Sequence, residues 1–167
     1  TEGLMAKYGE QRVIDSPISE IAIVGAAAGA AHMGMRPVVE MQFIDFMANA
    51  YDMLTNYGAT ARYRAFLGCP MVVRGPSGGY VRGGPFHSQN PEAGFIHTPG
   101  LKVVYPSTAE DAKGLMKAAI RDDDCVLFFE HKYLYRRIKG VMPAGDHVVP
   151  IGKARTARAG TDLSIIT

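Results

Sequence analysis

Glu20 stands at the mouth of a run of very small apolar residues, Ile21-Ala22-Ile23-Val24-Gly25-Ala26-Ala27-Ala28-Gly29-Ala30-Ala31. A helix of such side chains packs closely on all sides, so its single carboxylate is expected to have little water around it. Removing water from a carboxyl favours its protonated form, which is how a glutamate comes to hold and pass a proton near neutral pH. The positive end of the helix acts in the opposite sense. An ordinary structural role fits the same residue, because acids are common in a first turn and Ser19 stands where an N-cap is expected. His87 is the second candidate. It lies in a glycine-rich stretch from Gly75 to Gln89, and a loop histidine beside a cleft can act as general acid or base. A surface imidazole with one backbone hydrogen bond fits equally. His97 and His147 are read as structural.

These residues need elements to hold them. The pattern predicts a helix over 19–34 with Gly34 as its stop, a strand over 37–43, and a long helix over 46–66 that Asp45 caps and Gly68 ends. Strands follow at 70–74, 101–105 and 125–129, with a helix over 106–121 opened by a Ser107-x-x-Glu110 capping box. Short continuous apolar strands between helices indicate a three-layer α/β fold, a mostly parallel sheet covered on both faces. In such sheets ligands gather in the loops after the strands. The segments 41–46 and 74–89 occupy that position. Neither is a phosphate-binding loop of the Gly-Lys-Ser/Thr type, and no GxGxxG follows a strand. Gly25 and Gly29 lie within a helix, where they let a neighbour approach.

The chain has 167 residues, 47% hydrophobic and 20% charged, with a net charge of +2. That is enough for one real core, and the balanced charge gives no sign of a nucleic-acid or polybasic membrane surface. Cys69 and Cys125 match no metal-ligand spacing and read as buried thiols in a reducing compartment. The longest apolar run is too short to span a bilayer, so the expected location is cytoplasmic. The first residue is Thr1 rather than methionine, and 162–167 reads as a strand, so a fragment of a longer protein is expected. Residues 139–162 loosen into a proline- and glycine-containing linker, dividing the chain into a domain at 1–138 and a connector with a first strand at 139–167.

Several segments fall in one order: Asp15-Ser16-Pro17-Ile18-Ser19-Glu20, Gly34-Met35-Arg36-Pro37-Val38-Val39-Glu40, His87-Ser88-Gln89-Asn90-Pro91-Glu92-Ala93, His97-Thr98-Pro99-Gly100-Leu101-Lys102, and Phe128-Phe129-Glu130. Together they resemble the beta subunit of thiamine-diphosphate-dependent 2-oxo acid dehydrogenases, along essentially the whole chain. The resemblance implies a pyrimidine-binding domain that lacks an N-terminal strand and a C-terminal transketolase-type domain. It implies that Glu20 hydrogen-bonds N1′ of the cofactor's aminopyrimidine and promotes proton removal from the thiazolium, with the cofactor as electron sink for decarboxylation. Ile18, Gln42 and Phe46 match positions that line or stack on the pyrimidine, and His87 matches a histidine that assists acyl transfer to lipoyl groups.

A potassium site also comes with the resemblance, at Met71, Ala119, Ile120, Asp122 and Asp124. Read from the residues alone, Asp122-Asp123-Asp124 is a solvated turn between helix and strand. The Gly-Asp-Gly…Asn segment that holds magnesium and diphosphate in the family is not in this sequence. Magnesium is therefore expected from an alpha subunit, in an alpha2-beta2 assembly that serves a lipoyl-bearing acyltransferase core. Tyr133-Leu134-Tyr135-Arg136 and the His87 segment lean toward branched-chain 2-oxo acids, with pyruvate or acetoin as alternatives. A fused transketolase-like enzyme and a non-catalytic assembly domain also remain open.

Overall fold

The computed structural model describes residues 2–166. A short helix α1 (Leu4–Tyr8) precedes the small-residue helix α2 (Glu20–His32). Strand β1 (Val38–Glu40) leads into a 3-10 segment (Ile44–Ala50), a π-helical turn (Met53–Gly58) and helix α3 (Ala61–Ala65). Then come β2 (Val72–Ser77), α4 (Glu92–Ile96), β3 (Lys102–Val104), α5 (Ala109–Arg121) and β4 (Val126–His131). The four strands form one parallel sheet in the order β1-β2-β4-β3. Side chains alternate between its faces, as the pleat requires. Val73, Leu127 and Phe129 join one core with Val24, Ala27 and Ala28 of α2. Val72, Val126 and Phe128 join a second core with Leu115, Ala119 and Ile120 of α5. Helices thus cover both faces, as expected for a three-layer α/β domain.

Helix α2 stops where glycine was expected to stop it. Gly34 has φ +92°, and the Met35 N–H reaches back to the Ala30 carbonyl at 3.1 Å, a Schellman closure that a side chain would strain. The helix is not enclosed on all sides, however. Val24, Ala27, Ala28 and Ala31 form one buried stripe, while Ile21 stays half exposed. Among the described residues, one layer of the fold lies against this helix and its other face is left exposed.

The long helix expected over 46–66 is instead broken into three pieces. Thr55 Oγ1 donates to the Tyr51 carbonyl at 2.9 Å, and Thr60 Oγ1 to the Asn56 carbonyl at 2.6 Å. Such i−4 back-bonding bends helices. Gly58 allows the Met71 side chain to press in, at 3.1 Å from where a Cβ would stand. Asp45 does not cap this segment. Phe43 holds the N-cap position without a side-chain bond, and Asp45 is buried. The capping box of α5 is shifted by one residue: Thr108 Oγ1, not Ser107, accepts from the Asp111 N–H at 3.0 Å.

Residues 139–166 carry no regular element, and among the described residues 162–166 pair with no strand, the last residue of the strand expected over 162–167 lying outside them. The first part of this stretch is a strap on α5. Lys113 Nζ donates to the Pro143 carbonyl at 2.5 Å, Lys117 and Arg121 bind Asp146, and Ile151 packs on the second core. No helix among the described residues is long and apolar enough to cross a membrane.

Candidate functional site

All four strands point the same way, so their carboxyl ends open on one rim. Three chain segments meet there: the start of α2, residues 42–50 after β1, and the loop between β2 and α4. Glu20 is half-buried at the first turn of α2, and Asn49 Nδ2 donates to its Oε2 at 3.2 Å. Asn49 belongs to the segment that carries Phe46. The rings of Phe43 and Phe46 meet edge to face at 6.4 Å between centroids.

His87 stands against the same two rings. Its imidazole lies 4.5 Å from the Phe43 centroid and 5.5 Å from that of Phe46, both edge-on, with Phe86 closing a third side at 4.6 Å. His87 Nδ1 is 3.2 Å from the Gly83 carbonyl oxygen. A carbonyl only accepts, so Nδ1 is the donor in this bond, and in the neutral ring Nε2 is then the acceptor. The histidine therefore does make one backbone hydrogen bond, and it is also caged by three aromatic rings. Gln42 is exposed and helps line a cleft of about 320 Å³ together with Phe43, Tyr80, Lys132 and Tyr133. Ile18, just before α2, is 81% exposed.

The structure thus gathers Glu20, Phe46, His87 and Gln42 on one rim and leaves Ile18 on an open surface. It adds four residues that sequence reasoning missed. Phe43 completes the ring cage, and Asn49 fixes the glutamate. Asp45 Oδ1 accepts from the Gln89 N–H at 3.0 Å, and Lys132 Nζ donates to the His87 carbonyl at 2.7 Å. The Phe43-x-x-Phe46 spacing, one helical turn apart, was the only one of these signals visible in the sequence.

The arrangement suits a flat, nitrogen-bearing ring. Glu20 offers a carboxylate acceptor with one side-chain partner, Asn49, among the described residues, and Phe43 and Phe46 offer aromatic edges and faces. These residues fit an aminopyrimidine.

The positions expected to bind potassium lie at the opposite rim, at the amino ends of β2 and β4. Their donors are already engaged. Arg36 Nη1 donates to the carbonyls of Ile120 at 3.1 Å and Asp122 at 2.7 Å. Lys102 Nζ sits 2.7 Å from the Asp122 carboxylate, and Arg62 Nε lies 2.7 Å from that of Asp124. The Ala119 carbonyl accepts from the Asp122 N–H, and the Met71 carbonyl from the Val126 N–H within the sheet. These residues do not fit a potassium ion, because three cationic side chains already neutralise the turn. No group of three or more His, Cys, Asp or Glu side chains among the described residues could hold a metal ion. Cys69 and Cys125 are free and buried as expected, and burial pushes the Cys69 thiol up to about 11.

A family model described as "Transketolase, pyrimidine binding domain" matches residues 1–138. The chain belongs to that family. As a whole, this pyrimidine-binding domain and its strap are 54% identical over 169 residues to the 2-oxoisovalerate dehydrogenase subunit beta of Bacillus subtilis, covering 100% of this chain and 52% of the relative. It is 49% identical to the acetoin:2,6-dichlorophenolindophenol oxidoreductase subunit beta of Cupriavidus necator, covering 100% of this chain and 49% of the relative. Against the pyruvate dehydrogenase E1 component subunit beta of Rhizobium meliloti the identity is 45%, over 100% of this chain and 37% of the relative. The chain thus spans about half or less of these relatives' length. A solved split-gene transketolase, an inactive beta4 tetramer, superposes with TM-score 0.64 at 19% identity, covering 79% of this chain and 42% of that one. That likeness confirms the pyrimidine-binding fold alone.

Proposed function

We propose that this pyrimidine-binding domain is part of the beta subunit of a thiamine-diphosphate-dependent 2-oxo acid dehydrogenase, acting on branched-chain 2-oxo acids. The observation that carries the reading is the Glu20 carboxylate, presented at the first turn of α2 and held by Asn49, which lies in the same short segment as Phe46. The 54% identity to a 2-oxoisovalerate dehydrogenase subunit supports the branched-chain assignment, with pyruvate and acetoin as the competing substrates.

When bound, the cofactor supplies the thiazolium carbon that adds to the 2-oxo group and the electron sink for loss of carbon dioxide. Glu20 holds the proton at N1′ of the pyrimidine. Phe46 and Phe43 would orient the ring through aromatic contact. His87 presents its Nε2 lone pair to the acyl-transfer step, the proton on Nδ1 being retained by the Gly83 carbonyl. The diphosphate and its magnesium fall to an alpha-type partner, so the site is completed at an interface in an alpha2-beta2 assembly that feeds a lipoyl-bearing acyltransferase. The relatives' greater length supports reading residues 139–167 as the connector from the domain at 1–138 into the remainder of a longer parent chain.

The test is carbon dioxide release from 2-oxoisovalerate and from pyruvate, with an artificial electron acceptor. It uses the full-length parent chain co-expressed with its alpha-type partner. Glu20→Gln is expected to lower the rate at least about 100-fold, the scale of a lost proton-transfer group. Undiminished activity in that variant would remove Glu20 from the mechanism. A preference for pyruvate would overturn the branched-chain assignment.

A further inference from the structure

Lys132 follows directly after β4 and is only 5% exposed. Lysine is almost never buried without a partner that holds its charge. Its Nζ donates to the His87 carbonyl at 2.7 Å, and the same ammonium lies 5.0 Å over the Phe43 ring. That ring is one wall of the His87 cage, so one cation touches both the backbone of the histidine and the surface its imidazole leans on.

Two residues further on, the loop is held from the other side. Asp45, buried after β1, accepts from the Gln89 N–H through Oδ1, and the Gly78 N–H donates to the Gln89 carbonyl at 2.9 Å. The peptide units on either side of Ser88 are therefore gripped by opposite charges that come from two different strand ends. Burial pulls the Lys132 ammonium below the ordinary lysine range, and attraction to Asp45 opposes that pull. Both charges reach the loop that carries His87.

We propose that Lys132, with Asp45 as its counter-charge, is the positioning residue that fixes the His87 imidazole on the reaction rim. The inference rests on the acyl-transfer role proposed above for His87. It goes beyond that role by naming what sets the imidazole's place.

The experiment uses the full-length parent chain assembled with its alpha-type partner, as wild type, Lys132→Met, Lys132→Arg and Asp45→Asn. The first readout is the rate at which diethylpyrocarbonate modifies His87, followed by mass spectrometry with His97 as internal reference. The second is the ratio of lipoyl-domain acylation to artificial-acceptor reduction with the same 2-oxo acid. In Lys132→Met the His87 rate is expected to shift, and the ratio to fall, about tenfold, since small displacements at a reacting group are costly. Lys132→Arg, which keeps a donor and a charge, is expected to recover most of both, and Asp45→Asn to move both in the direction of Lys132→Met. If Lys132→Met fails to assemble, the other two variants decide. Unchanged His87 reactivity, or an unchanged ratio with both rates falling alongside the melting temperature, would overturn the proposal. If the wild-type assembly consumes no 2-oxo acid, the functional reading falls, and the His87 modification rates still decide the role of Lys132.

Discussion

Asp146 shows how much a single exposed side chain can organise. Arg121 grips its carboxylate with two bonds of 2.9 Å, and Lys117 adds a third at 3.0 Å. These partners, Arg121 foremost, hold the carboxyl at about 2, below its ordinary 3.8. A carboxyl lowered on folding stabilises the fold fully above its unfolded value, and the benefit disappears as pH falls through the folded value. Asp146→Asn is therefore expected to lower the urea midpoint at neutral pH. The gap to wild type should close as pH drops from about 4 toward 2. A gap that persists unchanged at pH 2 would assign the loss to packing instead. At this same scale, the sequence exposed Glu20 and His87 but hid Asp45 and Lys132. A charged residue beside a strand end usually stays in solvent, and only the meeting of two distant strand ends over one loop puts these two in the interior.

At the scale of elements, Gly114 separates two opposing effects. Alanine is better than glycine inside a helix by about 1 kcal/mol, so Gly114→Ala on α5 should stabilise if the helix stood alone. A Cβ there would meet Val149 Cγ2 at 2.5 Å and the Val149 backbone nitrogen at 2.9 Å. Overpacking of this kind costs about 1–3 kcal/mol, so the close approach of the strap wins. The variant is expected to lose up to about 2 kcal/mol in urea unfolding of the full-length chain. A gain in stability would show that the strap lifts from α5 at little cost. The strap itself could not be read from the sequence, because what appeared as a loose linker is tied down by α5 side chains 25–30 residues away in the chain. The strands, α2 and α5 were legible from their apolar patterns, although their ends shifted by a residue or more. The broken helix between Ile44 and Ala65 was not, since its bends come from two threonine back-bonds and from Met71 pressing on Gly58.

At the scale of the whole molecule, the bare side of α2 stands out. Ile18 and Met33 flank it at 81% and 83% exposed, and Ile21 is 52% exposed between them. Exposed apolar surface beside a site is a candidate for association, and Ile18 and Ile21 stand next to Glu20 in the chain. Ile21→Asp is expected to abolish co-purification of the full-length chain with an alpha-type partner and to leave its circular dichroism spectrum intact. Retained co-purification would move the interface elsewhere. The expected potassium site fails at this scale too, because Arg36, Arg62 and Lys102 arrive from three separate elements to neutralise one aspartate turn.

The sheet order has a further consequence, in time rather than space. β2 lies between β1 and β4, and its register with β4 pairs Val72 with Val126, residues 54 positions apart. A ribosome adding about 5–20 residues per second needs roughly 3–11 s to supply the partner strand. Throughout that interval the nascent chain carries a central strand, opened by the apolar pair Val72-Val73, with one edge open. Slow codons between β2 and β4 lengthen the wait and favour chaperone capture, whereas slow codons after β4 leave it unchanged.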